Sequence, residues 1–72
     1  MTERPEIRLA NDIARQFRHL TPEAGAAAVA DHIARFWDPR MRARLLASVA
    51  VGDAGLDDVV VAAALRLSAA SQ

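Results

Sequence analysis

Apolar and polar residues separate onto opposite sides of a helix in the first twenty positions of the chain. On a helical wheel of about 100° per residue, the apolar side carries Ile7, Leu9, Ala10, Ile13, Ala14, Phe17 and Leu20. The polar side carries Arg8, Asn11, Asp12, Arg15, Gln16, Arg18 and His19. Pro5 suits the first turn because the N–H that proline lacks is not needed there. This pattern predicts a surface helix that buries one face.

A second helix is predicted from Thr21 to about Phe36. Thr21 is a good N-cap, Pro22 suits the first helical position, and the acidic Glu23 lies near the positive helix end. Several alanines keep this helix slim, which lets another helix approach closely. Its apolar stripe consists of Ala26, Val29, Ala30, Ile33 and Phe36, with Trp37 at its end.

Asp38 and Pro39 end the second helix and begin a third. A residue before proline is pushed out of the helical region, and aspartate is a favoured N-cap. We therefore expect two helices joined almost without a loop, at a sharp turn around Trp37. The third helix extends to about Val51, and Gly52 provides a stop. Its predicted buried face consists of Met41, Leu45, Leu46 and Val49.

A fourth helix is predicted to begin near Asp57, which acts as its cap, with Asp58 in the first turn. Its inward stripe consists of Leu56, Val59, Val60, Ala63, Ala64 and Leu67. The sequence thus predicts an all-α fold, a small bundle of about four short helices without strands. We expect a single domain over residues 1–72, with frayed ends at about 1–4 and 69–72.

Three arginines, Arg40, Arg42 and Arg44, lie early in the third helix. Basic side chains are poorly placed there because a helix N-terminus carries partial positive charge. Arg42 also falls inside the apolar arc of the wheel. Either its stem covers Trp37 while the guanidinium reaches water, or it meets a carboxylate or carbonyl of another chain. Tryptophan and arginine are the residues most enriched at interface hot spots.

Two apolar residues of the fourth helix, Val61 and Leu65, lie nearly opposite its inward stripe. They are either scattered exposed residues, which is normal, or part of a docking stripe. We predict a partner-binding surface that comprises Phe36, Trp37, Asp38, Pro39, Arg40, Arg42, Arg44, Val61 and Leu65.

Composition favours a chain that depends on a partner. A domain of 72 residues buries only about 60% of the surface that its unfolded chain exposes. There is no cysteine, which excludes disulfides and cysteine-ligated metals. Net charge is zero, with nine arginines and nine acidic residues, and this disfavours a nucleic-acid binder. The polar N-terminus and the absence of a long apolar run argue against a signal peptide or membrane span. We expect a soluble, intracellular protein.

The sequence offers little for catalysis. His19 and His32 have no second ligand at metal-site spacing, and His32 is expected to be a boundary residue hydrogen-bonded locally. There is no glycine-rich phosphate loop, and no serine, histidine and aspartate set has supporting context. We therefore expect no catalytic, cofactor-binding or metal-binding residue in this chain.

The order of motifs resembles the delta subunit family of NAD-dependent, molybdenum-containing formate dehydrogenases. The matching segments are IRLANDIARQF, TPE, VADHIARFWDPRMRARLL and GDAGLDDVVVAAALRL, over roughly residues 7 to 67. The most specific block runs from His32 to Arg42. Asn11 and the Gly-x-x-Gly-Leu motif at 52–56 are weaker markers.

The resemblance implies a non-catalytic accessory subunit of a cytoplasmic complex that supports assembly or stability. It also implies that other chains hold the cofactors: bis-molybdopterin guanine dinucleotide and iron–sulfur clusters in the alpha subunit, and FMN and NAD in the beta and gamma subunits. The expected partner is the alpha subunit, and neither nucleic acid nor membrane is expected. Two alternatives remain open: a transient assembly chaperone absent from the mature enzyme and, more remotely, a helix-turn-helix nucleic-acid binder that uses its arginines on phosphates.

Overall fold

The computed structural model describes residues 5–70 and confirms the all-α fold. Within that range there is no strand, and the four helices are α1 (Pro5–Gln16), α2 (Pro22–Phe36), α3 (Pro39–Val51) and α4 (Asp58–Ala70). The frayed ends expected at 1–4 and 71–72 lie outside the described residues, whereas positions 69 and 70 belong to α4.

Local capping sets the helix boundaries at the predicted residues. The Thr21 hydroxyl accepts a hydrogen bond from the Ala24 N–H at 3.2 Å, and an Asp38 carboxylate oxygen accepts one from the Met41 N–H at 2.9 Å. Asp57 caps α4 in the same way, through the Val59 N–H at 2.9 Å. These bonds satisfy amide donors that the first helical turn leaves without intrahelical acceptors. At the other end of α3, Gly52 adopts the left-handed conformation with φ of 74°.

The first helix ends at Gln16, earlier than the predicted Leu20. The chain tightens there into turns with hydrogen bonds between residues three apart, such as Phe17 N–H to Ala14 O at 3.0 Å. Leu20 consequently leaves the apolar face and is 37% exposed. The prediction that Leu9 lies on the buried face is also wrong, because Leu9 is 46% exposed. It lies about 100° around the helix from the fully buried Ala10.

The core forms chiefly between α2 and α4, which make the most extensive contact of any helix pair. These two helices run in the same direction. Gly25 approaches Val59 near their starts, and Ala34 and Ala69 line one groove near their ends. The inward stripes predicted for both helices are confirmed except at Phe36. Their fully or nearly fully buried members are Ala26, Val29, Ala30, Ile33, Val60, Ala63, Ala64 and Leu67.

The third helix lies at the edge of this core. Of its four predicted buried residues only Leu45 is fully buried, whereas Met41, Leu46 and Val49 are half-buried. Ser48, which hydrophobicity alone did not single out, is also fully buried. Because α3 buries so narrow a face, most of its circumference, including Arg40 and Arg44, faces outward.

Candidate interaction surface

The turn between α2 and α3, here called the corner (residues 36–44), is locally well defined. Only Trp37 and Asp38 separate the two helices. Both adopt extended conformations, with φ and ψ of −93° and 142° for Trp37 and −75° and 162° for Asp38. The Trp37 N–H donates to Ile33 O at 3.0 Å. Since Pro39 keeps Asp38 out of the helical region, Asp38 and Pro39 fix the direction in which α3 leaves α2.

Phe36 is an exposed aromatic residue, although the sequence placed it in the buried stripe. It lies between Gly25 and Val29 on the helical wheel, on the side of α2 that faces the core, yet 72% of it is exposed. It occupies the last position of α2, where the other helices do not cover it. Its ring contacts that of His32, with centroids 4.8 Å apart and planes at 43°. The contact recorded for His32 is thus an aromatic one rather than the expected local hydrogen bond.

Trp37 has a different role from its neighbour. It is half-buried and packs against the hydrophobic core. The indole therefore anchors the corner to the body of the bundle, while Phe36 projects from it. A substitution of Trp37 changes folding as well as any interface, whereas one at Phe36 acts mainly on the surface.

The first turn of α3 contains no acidic residue, unlike those of α1, α2 and α4, which carry Glu6, Glu23 and Asp58. Within residues 5–70, no carboxylate forms an ion pair with the arginines of α3: Arg40, Arg42 and Arg44. Three arginines elsewhere are paired: Arg15 with Asp12 at 2.8 Å, Arg35 with Asp31 at 3.2 Å and Arg18 with Asp57 at 3.4 Å.

Arg42 is half-buried, whereas Arg40 and Arg44 are exposed, as the helical wheel predicted. The aromatic contact near the corner is the one between His32 and Phe36. Over residues 5–70, no cation–π contact joins Arg42 to Trp37. This agrees with a guanidinium that reaches water and does not test whether the stem of Arg42 covers Trp37. The choice between that interpretation and an interface remains a prediction.

The two apolar residues singled out on α4 differ in exposure. Leu65 is 63% exposed, and Val61 is half-buried. Leu65 and Phe36 are both exposed, although Leu65 lies in the middle of α4 and Phe36 at the end of α2. They belong to separate helices, however, and the role of Val61 and Leu65 in docking stays a prediction.

Two hydrogen bonds of Asn11, here called the clamp, fasten the α3–α4 loop to α1, and the sequence did not predict them. The side-chain amide of Asn11 donates to Gly55 O at 2.7 Å, and its oxygen accepts from the Asp57 N–H at 3.0 Å. Gly55 has a φ of 88°, a conformation that favours glycine. An asparagine on the polar face of a helix carries no local signal of a partner 44 residues away. Only its place among the family markers drew attention to it.

Two of the open clefts on the surface formed by residues 5–70 lie away from the corner. A mainly apolar groove of ≈ 440 Å³ between α2 and α4 is lined by Ala30, Asp31, Ala34, Arg66, Leu67 and Ala69. A polar cleft of ≈ 560 Å³ surrounds the clamp. Over residues 5–70, no group of three or more histidine or acidic side chains is arranged to hold a metal ion. In the same range, no helix is long and apolar enough to cross a membrane.

A comparison with protein-family models identifies the chain over most of its length. The model described as "NADH-dependant formate dehydrogenase delta subunit FdsD" matches residues 7–64. The chain belongs to this family. Searches of curated proteins and of solved structures found no match. The matched range contains the whole corner and Asn11 of this delta subunit, but it ends just before Leu65.

Proposed function

We propose that this delta subunit is a non-catalytic accessory chain of a cytoplasmic NAD-dependent formate dehydrogenase complex. In this proposal it supports the assembly or stability of the molybdenum-containing alpha subunit. Membership of the family supports its place in such a complex. The observation that carries the docking proposal is the corner, where Phe36 is 72% exposed beside three arginines without a described ion-pair partner.

In this proposal, other chains of the complex hold the redox cofactors. The alpha subunit would hold bis-molybdopterin guanine dinucleotide and iron–sulfur clusters, and the beta and gamma subunits would pass electrons to FMN and NAD. The delta subunit would contribute a surface. A chain that binds only the folded form of its partner stabilises that form by mass action, by about 2.7 kcal/mol at a concentration one hundred times the Kd.

The corner has the features of a docking surface. Full burial of a phenylalanine side chain contributes about 1.5–3 kcal/mol, and Phe36 has most of that burial still to gain. Trp37 packs against the core, which fixes the direction in which Phe36 projects toward a partner. Val61 and Leu65 would extend the contact along α4, with less support because Leu65 lies outside the family match.

Co-purification tests this proposal. A tagged delta subunit isolated from its native host should retain the alpha subunit, identified by mass. We expect Phe36→Ala and Arg42→Glu to lower the yield of alpha subunit while the variants keep their helical circular dichroism. Trp37→Ala should also weaken association, but its stability must be measured in parallel because Trp37 packs against the core.

The matched control is Leu9→Ala, which removes an apolar side chain that is 46% exposed on α1. This variant should retain the alpha subunit at the wild-type yield. If Phe36→Ala and Arg42→Glu also co-purify at wild-type yield and stability, the corner is not the interface.

The charge of the corner also suits a transient assembly chaperone. Permanent interfaces are larger and more hydrophobic than transient ones, whereas the corner combines one exposed aromatic residue with three arginines. Quantification of the delta subunit in purified, active enzyme separates the two functions. A stoichiometric amount supports the permanent subunit, and its absence from fully active enzyme supports the chaperone.

A further inference from the structure

The geometry of the corner points to an acidic partner surface, and we propose that it docks against carboxylate groups arranged around an apolar pocket. The carboxylates would face Arg40, Arg42 and Arg44, and the pocket would receive Phe36. This inference rests on the proposed function for the identity of the partner, and it adds the chemistry of the surface that is recognised.

The first turns of α3 carry an excess of positive charge. Helices α1 and α2 each carry an acidic residue in the first turn and a basic one in the last, which complements the helix dipole, whereas α3 carries neither. The guanidinium groups of Arg40 and Arg42 add to the partial positive charge of the helix N-terminus. Arg40 and Arg44 are four residues apart, which makes them neighbours on the helix surface. A chain of zero net charge thus concentrates positive charge at one edge.

The rest of the described chain leaves this charge largely uncompensated. The nearby acids are already engaged: Asp31 pairs with Arg35 at 3.2 Å, and Asp38 caps α3 through the Met41 N–H. Arginine presents a planar fork of donors that matches a carboxylate in a bidentate arrangement. An acidic side chain of another protein at the start of α3 would satisfy the guanidinium groups and complement the helix dipole.

Two residues of the corner, Phe36 and Asp38, favour a protein partner over a nucleic acid. Phe36 continues the core-facing side of α2 and is 72% exposed, so an apolar pocket on a protein would bury the ring that a phosphate backbone would leave in water. Asp38 lies in the corner itself and is exposed, so its carboxylate would repel a continuous phosphate backbone. A protein surface accommodates these features together, because its charges are discrete and its apolar patches lie between them.

Charge-reversal variants test the inference against formate dehydrogenase complex prepared from a host that lacks the delta chain. Affinities of wild type, Arg40→Glu and Arg44→Glu are measured at low and high salt. The matched control is Arg66→Glu, an equal change of charge at an exposed arginine of α4 that has no described ion pair. We expect the two corner variants to bind about tenfold more weakly than Arg66→Glu at low salt. Wild-type affinity should also fall with added salt more steeply than that of the corner variants.

The outcomes separate this inference from the function on which it rests. If wild-type delta subunit does not bind the complex, the proposed function fails and the inference with it. If wild type binds but Arg40→Glu and Arg44→Glu match Arg66→Glu, the acidic-surface inference alone is overturned. A duplex DNA probe forms the third arm. Strong DNA binding that Arg40→Glu abolishes and Phe36→Ala leaves intact would assign the arginines to phosphates and also overturn the inference.

Discussion

Replacement of Arg40 by glutamate should make the free delta subunit more stable, although it should weaken docking. Arg40 follows Pro39 in the first turn of α3, where the structure has no acidic residue. The substitution removes a cation from the positive end of the helix and places an anion there. It also converts the like-charged pair Arg40 and Arg44 into a glutamate four residues before an arginine, which is the favourable orientation.

The expected gain in the free energy of unfolding is the sum of these charge effects. Each charge change near a helix N-terminus contributes about 0.3–1 kcal/mol, and each change in an i,i+4 pair contributes about 0.2–0.5 kcal/mol. Arg40 is exposed and the added carboxylate lies near Asp38, so we expect values at the low end and a net gain of about 1 kcal/mol. For a domain of this size, that gain raises the Tm by about 4–8 °C.

Thermal unfolding of the purified chain, followed by far-ultraviolet circular dichroism, measures this gain. Arg40→Gln removes the cation without adding an anion and should give about half of the effect. Arg66→Glu, on α4, should give no gain. Near 1 M salt, where the Debye length is about 3 Å, the difference between Arg40→Glu and wild type should largely disappear.

The reasoning is refuted if Arg40→Glu has the wild-type Tm, or a lower one, at low salt. An equal rise for Arg66→Glu would also contradict it, because the effect would then reflect net charge rather than the end of α3. A rise in Tm together with weaker docking would show that α3 keeps its arginines at a cost in stability.

Three further substitutions test the remaining structure by urea unfolding of the free chain. Asn11→Ala removes both hydrogen bonds of the clamp and should lower the free energy of unfolding by about 1–3 kcal/mol; no change would mean that the clamp adds nothing to stability. Gly52→Ala should cost about 1–2 kcal/mol, because φ is 74° and a Cβ would meet nothing within 4 Å, so that only backbone strain acts. Ile33→Ala, at a fully buried position, should cost about 2–5 kcal/mol, whereas Phe36→Ala should stay within about 0.5 kcal/mol of wild type; a large loss for Phe36→Ala would contradict its exposure.

The helices and most of their ends were predictable because the signals are local. Thr21, Asp38 and Asp57 cap helices through bonds to amides two or three residues ahead. Gly52 ends α3 through its own backbone conformation. The end of α1 was misplaced, because the turn after Gln16 interrupts a pattern that remains apolar as far as Leu20.

Burial was less predictable because it depends on what covers each position. Periodicity places Phe36 on the same side of α2 as Ile33, but it cannot show that the bundle ends before the last turn. Nor does a wheel reveal the clamp of Asn11, whose partners lie in a distant loop. The arginines of the corner were recognisable because their misfit with the helix dipole is a property of the sequence itself.

The parallel arrangement of α2 and α4 makes α3 the crossover between the two most closely packed helices. Helix α3 buries only Leu45 and Ser48 along its length, whereas α2 buries five residues: Gly25, Ala26, Val29, Ala30 and Ile33. Local stability in proteins is uneven, and elements with few buried contacts open at lower free energy. Amide hydrogens of α3 should therefore exchange faster than those of α2. Docking at the corner would then hold α3 in its folded conformation and slow amide exchange along it. Binding would thereby be coupled to the folding of α3, the helix with the fewest buried residues.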